Sequence, residues 1–175
     1  MTERWLPPWG MDGSGHLQLV NGDASVTFTG EGIVGQGSLL SGPSFVPWES
    51  VSGGLFIGVP AVGVVGTRLI HALGGSGLYE ELAVSVASSG CSGYGWSLGR
   101  PRGAPFPIRS RNATEWLANA LSRSPRARTA VRVLGDRDAG PRLVGACLAS
   151  SSWSRWSTER RVEGIVQQWI NEGRI

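Results

Sequence analysis

The sequence predicts an α+β domain: a bent antiparallel sheet or barrel closed by a C-terminal helix, with an appended strand–strand–helix extension. Three observations predict it. Short alternating runs punctuated by Gly and Asn fill residues 16–98, the pattern of hairpins. A capped amphipathic segment follows at 112–124. Two more apolar runs and a second helical stripe occupy 129–175.

Residues 1–15 read as an N-terminal arm. Trp5 and Trp9 flank Pro7-Pro8, which rules out a helix there; the segment reads first as an arm that tucks both indoles against the domain, and second as an exposed Pro-aromatic peptide for a partner. Runs 16–20 and 25–29 alternate on either side of Asn21-Gly22-Asp23, a strong hairpin signal. Residues 33–40 read as a strand broken by Gly. Residues 45–51 read as an edge strand because Pro47 has no N–H for a ladder, and 55–59 as a further short strand. Thr67 caps a short helical pattern to Leu73 that Gly74-Gly75 ends. Strands are expected again within 79–87 and 94–98.

The clearest pattern lies in 106–121. Residues 106–108 read as a strand end. Asn112 is then a suitable N-cap, and Glu115 completes a capping box. Ala113, Trp116, Leu117, Ala120 and Leu121 make one apolar face, and Pro125 stops the helix near Ser124. Beyond it, 129–134 and 143–148 read as strands. Ser157 is expected to cap a last helix over 158–172, with Val162, Ile165, Val166, Trp169 and Ile170 as its stripe and Gly173 just past its end. The expected organisation is an arm (1–15), a sheet-and-helix unit (16–124) and an extension (129–175) packed on the same domain.

A hydrophobic fraction of 41% is too high for disorder, so a packed core is expected. All 16 basic residues are Arg, which fits the codon bias of a GC-rich genome. Their placement is uneven. Residues 1–99 carry Arg4 and Arg68 against seven acids, and 100–175 carry fourteen Arg against six acids, so the halves hold −5 and +8 of the net +3. Arg100, Arg102, Arg109, Arg111, Arg123, Arg126, Arg128 and Arg132 bracket the 112–124 helix. They read first as a solvated surface, and second as a basic face for nucleic acid or an anionic surface.

Few other residues suggest chemistry. Cys91 and Cys147 do not make a disulfide framework in a chain of this length. Cys91 lies in a Ser/Gly turn, Cys147 in an apolar run, and nothing places His16 or His71 beside either as a base or metal ligand. Gly74-Gly-Ser-Gly77 follows a helix rather than opening one, the wrong context for a phosphate cradle. Glu80 and Glu81 face opposite ways on a strand, and Asp136 and Asp138 read as a solvated turn. No cofactor is called for. No apolar run reaches the ~20 residues of a membrane helix, and no signal peptide is evident, so the expected location is cytoplasmic.

The order of elements resembles that of pleckstrin-homology-like domains. The similarity lies in Val26-Thr-Phe-Thr-Gly-Glu-Gly-Ile-Val, the Pro47-Trp-Glu-Ser-Val51 strand, the strand at 82–86 and the closing Asn112-Ala-Thr-Glu-Trp-Leu-Ala-Asn-Ala-Leu helix, over about residues 16–124. It is similar to small bacterial members, and the insertion at 58–76 departs from the simplest pattern. The resemblance implies a scaffold without catalytic residues. The expected function is therefore a non-catalytic protein-interaction module, with a nucleic-acid-binding accessory protein as the alternative.

Overall fold

The computed structural model describes residues 5–60, 80–90 and 92–175. The expected short helix at 67–73, the Gly74–Gly77 segment, His71 and Cys91 lie outside them.

Among the described residues, eight strands form two antiparallel sheets. The first is a meander of β1 (Trp9–Met11), β2 (Leu17–Asn21), β3 (Ala24–Phe28), β4 (Gly32–Gln36) and β5 (Phe45–Pro47). The second comprises β6 (Val51–Gly58), β7 (Ala83–Ser88) and β8 (Tyr94–Ser97). Alternation sets the faces: in β2, Leu17, Leu19 and Asn21 are buried, and Gln18 and Val20 only partly. The β2–β3 turn is Gly22-Asp23, because Asn21 still pairs with Ala24. Asn21 instead donates its side-chain amide to the carbonyls of Leu98 and Arg100, tying the hairpin to the end of β8. Pro47 closes edge strand β5, and a 3-10 turn (Trp48–Ser50) carries the chain into β6. The expected strand over 45–51 is therefore split by this turn, and the arm supplies a strand of its own.

Among the described residues the strands do not close into one barrel. A single bridge, Ser41 to Ser97, joins the sheets at one corner. At the other corner helix α1 (Ile108–Arg123) fills the gap. Thr114 Oγ1 accepts from Trp9 Nε1 of β1 (2.7 Å), and the Ser122 hydroxyl binds both the N–H and the C=O of Leu55 on the free edge of β6. A polar side chain thus satisfies backbone groups that barrel closure would have paired.

Helix α1 starts earlier than its sequence suggests. Pro107 is the N-cap residue, and 106–108 form no strand. Asn112 lies a turn inside the helix, buried, with its amide committed to the carbonyls of Ser152 and Trp153. Glu115 pairs with Arg111 rather than with a cap (3.4 Å). The end is as expected, with Ser124 as the C-cap before Pro125.

The extension is helical throughout, not strand–strand–helix. Residues 129–134 fall in α2 (Ala127–Arg132) and a following 3-10 turn (Val133–Gly135), and 143–148 fall in α3 (Ala139–Ala149). Short apolar runs do not distinguish strand from buried helix. The pattern that decides is Leu143, Val144, Cys147 and Leu148, all buried and spaced to share one helical face. Pro141 is tolerated because it lies in the first turn of α3. Helix α4 (Arg155–Asn171) starts two residues before the expected cap. Ser154 Oγ accepts from the Ser157 N–H, and Val162, Val166 and Trp169 face inward.

One buried cluster runs from Trp9 through both sheets to Trp169, so the arm and the extension share the core of the sheets. Two glycines mark the seam. Gly53 has φ +137° at a register shift in β6, and a Cβ there would lie 2.9 Å from the Ala127 Cβ of α2. At Gly135 a Cβ would lie 2.1 Å from the Thr29 carbonyl oxygen, which also accepts from Trp48 Nε1.

Candidate functional site

The eight arginines singled out by charge do not share one location. Arg100 and Arg102 sit beside the β2–β3 turn. Arg100 pairs with Glu80 (2.9 Å), and the Arg102 side chain passes over Gly22. Arg109 and Arg111 occupy the first turns of α1. Arg123 closes α1, and Arg126, Arg128 and Arg132 follow through α2. At 1.5 Å per residue, Arg109 and Arg123 stand about 21 Å apart along the helix. In the second half of the set, Arg123 makes a loose 3.9 Å pair with Glu163, Arg128 donates to the Glu49 carbonyl, and Arg126 and Arg132 are exposed.

Arg109 borders a more distinctive surface. From the end of α3 into the first turn of α4 the chain runs Ser150-Ser-Ser-Trp-Ser-Arg-Trp-Ser. Trp153 is 76% exposed and Trp156 70%, whereas Trp9, Trp48, Trp96 and Trp169 are buried. Leaving most of an indole in water forgoes about 2 kcal/mol of burial per side chain. The backbone that presents them is nevertheless pinned. Asn112 Nδ2 donates to the carbonyls of Ser152 (3.1 Å) and Trp153 (3.3 Å), Arg109 Nε to that of Ser151 (3.2 Å), and Arg161 to that of Ser150 (3.3 Å). Buried Thr158 receives the Ser152 N–H and returns its hydroxyl to the carbonyls of Ser152 and Ser154. A loop with this many anchors, running into the first turn of α4, is a fixed ledge: the loop holds Trp153 outward and the helix holds Trp156 outward.

Guanidinium groups surround the ledge. Arg160 lies over the Trp156 ring, 4.8 Å from its centroid, and Arg155 over the Trp116 ring at 5.3 Å. With Arg109 and Arg161 these make four cations, against the carboxylates of Glu159 on the first turns of α4 and of Glu115 beside Arg155. A cavity of about 220 Å³ between β6 and α1, lined by Phe56, Glu115, Trp116 and Arg155, adjoins it. Burial pushes the Glu115 carboxyl above its usual range, against the opposing fields of Arg111 and Arg155.

Other titratable groups are occupied. A cleft of about 810 Å³ lies between the β3–β4 turn and the α2–α3 connection, with His16, Glu31, Phe45 and Arg137 on its walls. His16 donates through Nδ1 to Asp12 (3.2 Å) while its Nε2 accepts from Arg137 Nε (3.1 Å), so the ring lone pair that a general base needs is engaged. Burial works to raise the Asp12 carboxyl, but the N–H groups of His16 and Ser14 and the His16 ring hold it below the ordinary range. Asp136 accepts from the N–H groups of Ala139 and Asp138, which hold its carboxyl low and consume it as a turn-former. Glu80 and Glu81 go to different partners, Arg100 and Ser97. Cys147 is buried, and burial alone pushes its thiol up to about 12. Among the described residues no three His, Cys, Asp or Glu side chains gather as a metal site, and no helix is long and apolar enough to cross a membrane.

No family model, curated protein or solved structure matches the chain.

Sequence reasoning found the basic residues but not the ledge. Its signal is a pair of Trp three residues apart in a Ser-rich stretch, the second on the first turn of α4 and off the face that Thr158, Val162, Val166 and Trp169 bury.

Proposed function

We propose that the chain is a non-catalytic interaction module whose contact surface is the ledge at residues 150–161. One observation carries the reading: two indoles are held in solvent, Trp153 by a loop whose backbone is bonded into α1 and α4 and Trp156 by the first turn of α4. A merely loose loop would need no such anchoring, and a core-forming loop would bury its Trp. Trp and Arg are also the residues that concentrate binding energy when a partner covers them. A pinned loop loses little conformational freedom on binding. In this reading the two sheets and α1 are a pleckstrin-homology-like scaffold. The strand meander, and a helix that follows the last strand and fills the opening between the sheets, support that kinship.

Affinity capture from the native host tests the reading, with the wild-type chain compared against W153A/W156A and each sample split with and without nuclease. The module reading expects at least one partner that the double variant loses. Identical recoveries from both chains would overturn it.

A further inference from the structure

We infer that the partner of the Trp153/Trp156 ledge is single-stranded nucleic acid; this rests on the interaction-module reading above. The ledge offers two kinds of group, planar π faces and guanidinium cations, and little else. Trp153 and Trp156 are the large exposed apolar side chains of the segment, and their sequence neighbours are Ser150, Ser151, Ser152, Ser154 and Ser157. Isolated indoles ringed by hydroxyls and cations make a poor membrane anchor, which needs a continuous apolar face. An acidic peptide would satisfy the arginines but would leave the indole faces without a planar counterpart. A single strand satisfies both, because every base has a π face and every linkage a phosphate. Duplex DNA satisfies only the second, since its base faces are stacked inside the helix.

The geometry supports this division of labour. Arg160 lies over one face of the Trp156 ring at 4.8 Å, so a base stacking on the other face has a cation across the indole for its own phosphate. Arg155 is fixed over Trp116 in the same way. Arg109 and Arg161 hold the loop through its carbonyls, which keeps their charge at the base of the ledge. The contrast with the arginines at 123–132 is physical: those cations have no exposed aromatic side chain beside them in sequence.

The test is a titration of the full chain with a fluorescein-labelled oligothymidylate of about 20 nucleotides, followed by anisotropy and by quenching of intrinsic Trp fluorescence. Parallel arms use the matching duplex, inorganic polyphosphate and phosphatidylglycerol vesicles. The expected result is binding with Trp quenching. W153A and W156A should each weaken it about tenfold or more, as loss of a stacking platform does. With about three phosphate contacts, the affinity should fall roughly tenfold to twentyfold between about 50 and about 200 mM salt. R160Q/R161Q should flatten that slope. Equal binding of duplex or polyphosphate, undiminished binding by both Trp variants, or binding to vesicles alone would overturn the inference. If the oligonucleotide does not bind but a nuclease-resistant protein is captured by wild type and lost from W153A/W156A, the inference fails and the module reading stands. If capture is also insensitive to the ledge, both fail.

Discussion

Replacing Asn112 with Ala should loosen the ledge without dismantling the fold. Asn112 is buried in α1, and its side-chain amide is shared between the carbonyls of Ser152 and Trp153, forty residues away in sequence. Each hydrogen bond contributes roughly 0.5–1.5 kcal/mol net. The Ser152 carbonyl keeps a second donor in the Thr158 hydroxyl, and the exposed Trp153 segment lets water reach the other. Ala also gains about 0.5 kcal/mol of helix propensity over Asn. The balance is a loss of about 1–2 kcal/mol, or roughly 2–8 °C in Tm for a chain of this size. Calorimetry gives the global number, and amide hydrogen exchange gives the local one. Exchange over 150–157 should accelerate more than in β2, β3 or β7, because the bonds lost hold that loop and not the sheets. Asn112→Asp keeps the shape but turns acceptors toward acceptors, so it should be at least as damaging near neutral pH. A Tm within a degree of wild type and unchanged exchange over 150–157 would refute the claim that Asn112 anchors the ledge.

Three further outcomes follow from the packing and the charges. Gly135→Ala should cost about 1–3 kcal/mol in urea unfolding, since its Cβ would meet the Thr29 carbonyl at the seam between helices and sheet; an unchanged midpoint would show that the seam adjusts freely. Glu115 has a folded-state pKa raised by burial, so its ionised form opposes folding, and that penalty appears as pH rises through the unfolded and then the folded pKa. Glu115→Gln should therefore be at least as stable as wild type at pH 7, with the difference narrowing toward pH 4; a variant clearly less stable at pH 7 would show that the Arg111 pair outweighs desolvation. Cys147 should resist alkylation at pH 8 in the native state and react only at the rate of unfolding, as peptide mapping would show; rapid native labelling would mean that α3 is not packed as described.

The parts of the fold legible in the sequence are those where local period and tertiary role agree. The β2–β3 hairpin alternates because one face of it is core, and the Val162–Val166–Trp169 stripe recurs because α4 lies on that core. The misread parts are those where a distant partner took a local signal. Asn112 has the chemistry of an N-cap, but its amide is used across the structure on the Trp153 loop, and Pro107 starts the helix instead. Ser122 looks like any helical Ser until Leu55 is seen beside it, filling the place of a neighbouring strand. Residues 129–134 and 143–148 are too short and too apolar to declare a period, and only burial of Leu143, Val144, Cys147 and Leu148 together shows the helix. The site was half legible. Charge located Arg109, which holds the ledge through the Ser151 carbonyl. Which Trp stay in water is decided by packing, and the Ser-rich spacing of Trp153 and Trp156 was the one local sign of it.

The central claim is that Trp153 and Trp156 are displayed for a partner and contribute nothing to the core. Urea unfolding of W153S/W156S against wild type tests it most directly. The account predicts a free energy of unfolding within about 1 kcal/mol of wild type, since the Arg160 stack on Trp156 is an exposed cation–π contact and both side chains lie outside the core. A loss of more than about 2 kcal/mol would make the two indoles part of the fold and contradict the account.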